Sequence, residues 1–399
     1  MKIKIHLLRA ALLLSAFCFP LSAFSQGSLT PPGAPAPTMK TLDQLDAKLE
    51  KRTPISSLPF FITNGGSYYF TANLVGIGAI YMDADNVTVD LNGFTLGGGP
   101  CSATGFFVGA VRTNLCIRNG VIADRGGFGI GASGAVNCQL IDLRVSGNGS
   151  GGVQIGPGSL VLNCVVRANN GIGINTGDNC VIRGCVSTAN AGKGLNAGIN
   201  SLVDECSVSA NGDYGIVVGD GSSIHKSNSQ GNVGGISAGP NCLVQQCKSV
   251  GNTGSGIFTD HTVQVLNCVV TDNSSYGIHV AQGCRVSGCL VAHSGWSGIY
   301  VYFPGCELTG NTCLGNNISA AVSDAGIFID DSDNRVEGNH VTGSSHAGIQ
   351  VANGYFGNIV VRNTVAGNGA SNYIDPGGND FGPIGTAATA TSPWANISH

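Results

Sequence analysis

The sequence predicts an all-β fold, a parallel β-helix with coils of about 21 residues. Glycine followed by an aliphatic residue recurs eleven times, and from Gly152 to Gly298 the spacing is 21 residues with a single 20. Between these markers apolar residues alternate, as at Ile278 and Val280, which is the periodicity of a strand. No interval has room for a ten-residue amphipathic helix. Short strands and Gly/Asn turns repeating at this period are typical of a coil that pairs with its copies above and below.

Other columns keep the same register. Asparagine stands four residues before the marker at Asn148, Asn169, Asn190, Asn211, Asn252 and Asn273, with Asn232 one place out of step. Stacking of asparagines in successive coils predicts a structural role, closing turns and bonding to neighbours. Stacked coils lie about 4.8 Å apart, so eleven would span roughly 50 Å.

The repeats "CVIRGCVSTANAGKGLNAG" (180–198) and "CLVQQCKSVGNTGSGIF" (242–258) resemble the carbohydrate-binding and sugar-hydrolase repeats of the pectate-lyase-like superfamily. The resemblance runs from about residue 60 to 375, and "GSYYFTANL" looks like an opening coil. It implies a single-stranded right-handed parallel β-helix. That superfamily includes lyases, hydrolases, epimerases and non-catalytic repeats, so the resemblance predicts fold better than activity.

Both chain ends depart from the repeat. Residues 1–25 place Lys2, Lys4 and Arg9 before a short apolar run, as in a secretory signal peptide. Residues 26–38 are predicted to form a Pro-rich linker. Residues 39–58 are predicted to form an N-terminal capping helix and the approach to the first coil. The helix would cover 39–52, where Leu42, Leu45 and Leu49 lie on one helical face. The β-helix would occupy 59–375, and the tail, 376–399, would lie across the last coil or stay loose.

The charge balance restricts the partners. Removing the signal takes three of the 19 basic residues and none of the 23 acidic ones, which leaves a net charge of −7. Nucleic acid and anionic membranes are therefore disfavoured partners. We expect a monomer without a transmembrane segment that is secreted, periplasmic or on the cell surface.

Fourteen cysteines remain after the signal. Cys164, Cys185 and Cys206 share one column, which later continues as asparagine at Asn311 and Asn339. A position that accepts either residue favours a buried stack of free thiols over disulfides, although stacked Cα atoms fall within disulfide range. The C-x4-C spacing is not that of a zinc knuckle, so no metal is predicted there.

The residues that point outward change character along the chain. Taking the aliphatic residue of each marker as inward, the next residue and the one two further on point outward. In the early coils these two columns hold no aromatic or acidic residue. In the later coils they hold mainly aromatic and acidic residues, together with one histidine: Phe258, Asp260, His279, Tyr300, Tyr302, Phe328 and Asp330. Trp296, His261 and Asp331 lie beside them. Flat aromatic rows with carboxylates suit sugar rings, so the sequence predicts polysaccharide binding on this face; alternatively, the rings fill cross-strand stacks or lie beneath a loop or the tail.

Catalysis is left open. Asp330 and Asp331 could supply the carboxylate pair of a glycoside hydrolase, and His279 or Tyr300 the base of a lyase or epimerase. The resemblance implies uronate-type glycans for such activity. However, neither outward column of these coils holds Lys or Arg, and the carboxylate triplet with G-H-G of polygalacturonases and the D-P-H-E motif of alginate epimerases are absent. A structural or adhesive scaffold is the competing class, and a periplasmic metal-handling repeat protein is a third.

No cofactor is predicted. The segment "FIDDSDN" (328–334) could form a loose Ca²⁺ site, but an ordinary solvated turn is the preferred interpretation.

Overall fold

The computed structural model describes residues 51–399. The predicted signal peptide, the linker and nearly all of the predicted capping helix lie outside the described residues. Arg52, the last residue of that predicted helix, begins the first strand. Within residues 51–399 the regular structure consists of strands alone.

One strand of each coil joins a 15-stranded sheet, here called the face sheet. Its strands are Phe60–Ile62, Ile80–Met82, Phe106–Phe107, Ile130–Ala132, Val153–Ile155, Ile174–Thr176, Leu195–Ala197, Tyr214–Val218, Gly234–Ala238, Ile257–Thr259, Ile278–Val280, Ile299–Val301, Ala325–Ile329, Ala347–Val351 and Ser371–Ile374.

The other strands form a 30-stranded sheet, here called the wrap sheet. Up to residue 209 its strands are Arg52–Ile55, Gly66–Phe70, Leu74–Val75, Val87–Asp90, Thr95–Gly97, Cys116–Ala123, Gln139–Ser146, Leu160–Leu162, Val165–Arg167, Val181–Arg183, Val186–Thr188, Leu202–Asp204 and Ser207–Ser209. They continue with Ser223–His225, Asn228–Gln230, Leu243–Gln245, Lys248–Val250, Gln264–Leu266, Val269–Thr271, Arg285–Ser287, Leu290–Ala292, Glu307–Thr309, Thr312–Leu314, Arg335–Glu337, His340–Thr342, Ile359–Val361, Thr364–Ala366, Asp380–Phe381, Ile384–Gly385 and Asn396–Ser398. Arg112–Thr113 pairs separately with Ala135–Val136.

The predicted solenoid of roughly 21-residue coils is confirmed. Neighbouring strands pair in parallel at the spacing of the repeat, as Ile257 with Ile278 and Ile278 with Ile299. These inward isoleucines are fully buried in one core that runs through the coils. The marker glycine is needed because the next coil is so close: a Cβ at Gly277 would collide with Val291 and with the carbonyl oxygen of Gly298.

The asparagine column is a buried ladder of amide hydrogen bonds. The Nδ2 of each asparagine donates to the Oδ1 of the next at 2.7–3.3 Å, from Asn148 through Asn169, Asn190, Asn211, Asn232 and Asn252 to Asn273. Asn232, one residue out of step in the sequence, is in step in the ladder. The structural role predicted for this column is confirmed.

The cysteine columns are buried free thiols, as the repeat predicted. Among the described cysteines twelve are buried, Cys116 is half-buried and Cys101 is exposed, and none is joined to another. Burial raises the pKa of Cys306 to about 12. The column continues through Asn311, whose side chain accepts from the backbone N–H of Cys289 at 3.0 Å.

The C-terminal tail supplies the last residue of the column that contains Cys289 and Asn311. Asn396–Ser398 pairs in parallel with Thr364–Ala366 on the wrap sheet. The Oδ1 of Asn396 accepts from the side chain of Asn363 at 3.2 Å and from its backbone N–H at 3.0 Å. The last residues therefore add a strand to the solenoid.

We predict that the ladder is a large source of stability. Asn211 accepts from the N–H and the side chain of Asn190 and donates to Asn232 and to the carbonyl of Ser187. Replacing Asn211 by Ala leaves buried groups unpaired, so the free energy of unfolding in urea should fall by about 3 kcal/mol. The control is Asn196→Ala, a half-buried outward amide, with an expected loss below about 1 kcal/mol. Equal losses in both variants would contradict the ladder's importance.

We also predict that the thiols are reduced and shielded. In native protein an aromatic disulfide reagent should react rapidly with Cys101 and slowly with the buried cysteines, because the reactive thiolate is disfavoured by burial. In denaturant without reductant all fourteen thiols of the mature chain should titrate. A clear deficit would show that disulfides form.

Candidate functional site

The candidate site lies on the outer surface of the face sheet. Phe258, His279, Tyr300 and Phe328 pair in succession across four neighbouring strands. The inward and outward assignment predicted from the marker is therefore correct in these coils. We call the aromatic face the following set: Phe258, Tyr276, His279, Trp296, Tyr300, Tyr302, Phe303 and Phe328.

The centre of the aromatic face is a stack of rings. The rings of Tyr276 and Tyr300 are parallel to within 8° with centroids 4.4 Å apart, and Tyr300 and Phe328 stack at 5.9 Å and 21°. Their ring faces are thus directed at one another rather than at solvent. This is the cross-strand packing that the sequence left as an alternative.

Phe328 corrects a prediction. It was expected to be an exposed binding residue, yet only 6% of it is exposed. It packs with Ala325 and Ala347 and against the partly buried Ile374. The long coil folds back beside it, since the side chain of Gln350 donates to the carbonyl of Val322 at 3.4 Å.

Exposed rings surround the stack. Trp296, Tyr302 and Phe303, here called the rim, are 43%, 48% and 42% exposed. Trp296 meets Tyr276 at 74°, and Tyr302 meets His279 at 74° and Phe303 at 73°. Trp296 thus stands across the stack, whereas Tyr302 lies beside Tyr300 at 5.9 Å and 32°, with Phe303 across Tyr302. The exposed parts of these three rings present surface that a ligand can contact.

The sequence predicted Tyr302 and placed Trp296 beside it, but it did not predict Tyr276 or Phe303. Tyr276 stands immediately before the marker Gly277, in the column of Phe128, Lys193 and Tyr214, which the alternation does not assign as outward. Phe303 follows Tyr302 beyond the end of its strand. The signal that could have identified Phe303 is the concentration of large side chains on both sides of one short strand, Ile299–Val301.

Carboxylates line the same region. Tyr300 donates its hydroxyl to Oδ2 of Asp330 at 2.7 Å. Asp324 is buried and accepts from the backbone N–H and the hydroxyl of Ser297, and burial raises the pKa of its carboxyl. The exposed Asp260 accepts from the backbone and the ring of His261, and these bonds lower the pKa of Asp260.

These surroundings fix the protonation of the central rings. Burial, then Asp324 and Asp330, raises the pKa of Tyr276 to about 12. Burial and the bond to Asp330 raise the pKa of Tyr300 still further. Tyr300 is therefore a hydrogen-bond donor at neutral pH and is poorly suited to act as the base considered above. Burial lowers the pKa of His279 to about 4, so its ring is neutral at pH 7.

The aromatic face lacks a balancing cation. Between Lys248 and Arg335 the sequence has one basic residue other than histidine, Arg285. Arg285 lies on the wrap sheet and faces Glu307 at 3.6 Å. Within residues 51–399, no Lys or Arg therefore lies on the face-sheet strands that carry the aromatic face.

The acidic segment that follows the strand Ala325–Ile329 forms a turn. Asp331 accepts from the N–H of Ser332 at 2.7 Å, and Asp333 adopts a left-handed conformation with φ of 57°. In residues 51–399 no group of three or more His, Cys, Asp or Glu side chains is placed to hold a metal ion. A turn is the interpretation preferred from the sequence, and calcium binding here stays its alternative.

Two family models match the chain. The model "Right handed beta helix region" matches residues 75–231, and "Periplasmic copper-binding protein (NosD)" matches residues 220–381. The parallel pairing of the coils and the first of these matches together identify the fold as a right-handed parallel β-helix. The fold-level resemblance stated from the sequence is thus confirmed. Copper sites use thiolate, thioether or imidazole ligands, and the described part of the chain does not gather three such His or Cys side chains, so it does not fit a copper site.

Several solved structures are similar to the chain at low identity and low TM-score. The A-module of mannuronan C-5 epimerase AlgE6 from Azotobacter vinelandii is 16% identical with a TM-score of 0.44, covering 84% of this chain and 91% of that one. A double mutant of the periplasmic alginate epimerase AlgG is 11% identical with a TM-score of 0.47, covering 81% and 77%. The Dettilon tailspike protein is 14% identical with a TM-score of 0.46, covering 76% and 62%. No curated protein matches the sequence significantly.

The described residues include no helix long and apolar enough to cross a membrane.

We predict that His279 makes stability depend on pH. Its pKa in the folded protein, about 4, lies below the ordinary 6.5, so the unfolded chain binds more protons between these values. Stability from this residue is complete above about pH 6.5 and is lost as the pH falls toward 4. His279→Gln should therefore reduce the difference in Tm between pH 7.5 and pH 4.5. An NMR titration that places the pKa of His279 above 6 would contradict this.

Proposed function

We propose that this protein binds polysaccharide on the aromatic face, through the rim. The observation that carries the proposal is the exposure of Trp296, Tyr302 and Phe303, three large rings around one strand that are each over two-fifths exposed. Exposed apolar surface concentrated at one place is typical of an interaction site. Ring edges and faces at the rim can pack on the C–H surface of a sugar, while Asp260, Asp330 and the hydroxyl of Tyr302 can bond to its hydroxyl groups.

The charge of the aromatic face favours neutral or amino sugars. Asp260, Asp324, Asp330 and Asp331 lie on or beside it, and no Lys or Arg belongs to it. A glycan carboxylate would be repelled by this field, whereas an ammonium group would be attracted. This differs from the uronate-type glycans implied by the superfamily.

Binding without cleavage is the role we favour. A base for lyase or epimerase chemistry would have to be Tyr300, which stays protonated, or His279, whose low pKa makes it a weak base. The sequence also supplies no cation here to neutralise a sugar carboxylate. With its signal-like N-terminus, the mature protein would act outside the inner membrane, in the periplasm, at the surface or in the medium.

We predict that the wild-type mature protein binds neutral glucans or chitosan on a glycan array more tightly than alginate or polygalacturonate. The variant Trp296→Ala/Tyr302→Ala should bind at least about tenfold more weakly, a loss of about 1.4 kcal/mol. Both rings are exposed, so the variant should keep the circular dichroism spectrum of the wild type. The matched control is Trp394→Ala, which removes a ring that is 47% exposed beside Arg362, just after a strand of the wrap sheet.

A rigid scaffold without a ligand is the second candidate. The mutual stacking of Tyr276, Tyr300 and Phe328 favours it, since stacked outward rings stabilise neighbouring coils by themselves. Failure of the wild type to bind any glycan on the array would decide for the scaffold. Unchanged glycan binding in the rim variant would place the site elsewhere.

A further inference from the structure

A second aromatic cluster lies at the other end of the same sheet surface. Phe61, Tyr81 and Phe107, here called the N-terminal platform, pair in succession on the first three strands of the face sheet. Phe61 is 58% exposed and Phe107 43%. Phe61 and Tyr81 stack at 4.7 Å and 7°, whereas Phe107 stands at 78° to Tyr81. The arrangement repeats that of the aromatic face, a stack with an exposed ring standing across it.

The N-terminal platform has a concavity. A cavity of about 270 Å³ is lined by Ala79, Tyr81, Ala103, Thr104 and Phe107. That is near the lower limit for pockets that take small molecules. Two aromatic walls, a floor of small side chains and one hydroxyl would suit a single neutral sugar ring.

Arg125 makes this cavity rigid. Its side chain is 1% exposed, and all four hydrogen bonds of its guanidinium go to carbonyl oxygens, those of Gly76, Gly78, Gly97 and Ala103. Gly78 precedes Ala79, and Ala103 itself lines the cavity, so one buried cation ties two segments of the cavity floor together. A pre-ordered floor reduces the entropy lost on binding.

A polar strip connects the two aromatic surfaces. From Phe107 the outward column passes through Gly131, Gln154, Asn175, Asn196, Val217 and Ser237 to Phe258. These are seven steps between strands, or roughly 34 Å at about 4.8 Å each. Its amides can donate to and accept from sugar hydroxyls, and Asn196 already donates to Asn175 at 2.7 Å.

We infer that the N-terminal platform is a second sugar site, and that one neutral or amino polysaccharide chain runs along the face sheet and occupies both ends. The inference rests on the proposed function of the aromatic face. When a long polysaccharide chain is bound at one site, the other site on the same rigid sheet meets that chain at a high effective concentration. The rim surrounds Tyr300, two strands beyond Phe258, so a glycan too short to span nine steps, or roughly 43 Å, would gain nothing from the pair.

The test compares long and short probes. Affinities for hydroxyethylcellulose and glycol chitosan, and for cellotetraose and chitotetraose, are measured with the wild type, Phe61→Ala/Phe107→Ala and the rim variant. Either double variant should lose about a hundredfold or more in affinity for a polymer that binds the wild type. Each should lose less than about threefold for the tetrasaccharide, which retains the other site. Trp394→Ala is again the control.

The outcomes separate the two proposals. A platform variant that binds the polymers as tightly as the wild type overturns the second site and leaves the aromatic face standing. A rim variant with normal affinity beside a weakened platform variant overturns the aromatic face as the main site. No binding of either polymer by the wild type overturns both.

The other possible occupants of the N-terminal platform are tested in the full mature chain. Hydroxyl-radical footprinting without glycan should oxidise Phe61 and Phe107 readily. Strong protection would overturn the inference, because the platform would then be covered by residues 26–50 or by a second copy. Light scattering at the same concentration distinguishes these, since only a second copy doubles the mass.

Discussion

The structure depends on the stacking of equivalent residues in coils about 4.8 Å apart. Whatever stands at one position meets its copies above and below, so each column must be able to pack against itself. Asparagine meets this condition inside because an amide is both donor and acceptor, as in the bonds from Asn190 to Asn211 and from Asn211 to Asn232. Cysteine meets it as a small apolar side chain, and the change from Cys289 to Asn311 continues the column without interruption.

The same condition governs the outer surface. An aromatic residue placed in an outward column can stack on its neighbour, as Tyr300 on Phe328 and Phe61 on Tyr81, and the ring faces are then used within the protein. Surface for a ligand is left where the column ends or where a ring stands in the turn beside the strand. Trp296 and Phe303 are of this second kind, which is why the turns flanking a strand matter more for recognition than its central residue.

This explains how far the sequence could predict the molecule. The coil length, the inward position of Ile278 and the asparagine ladder follow from a period, because register and packing repeat with it. The burial of Phe328 does not follow from the period. It depends on a 28-residue coil that departs from the repeat and on contacts with Ala347 and Ile374 from later coils. Tyr276 was missed because its column is outside the strand, where the alternation used to assign faces does not apply. The N-terminal platform was missed because its coils precede the first regular marker.

Charge adds a constraint that geometry alone would not. Superimposing the outward columns of any two coils gives the same spacing of side chains, yet the outward columns around Tyr300 combine rings with carboxylates and lack Lys and Arg. The bond from Tyr300 to Asp330 keeps negative charge close to the rings and holds the phenol in its protonated form. The hydroxyl of Tyr300 already donates to Asp330, so it can donate to a ligand only if the ligand replaces this carboxylate as the acceptor. A sugar hydroxyl or ammonium group that binds Asp330 directly is therefore a better match than a sugar carboxylate. The residues in the outward columns thus determine which ligand chemistry the surface accepts.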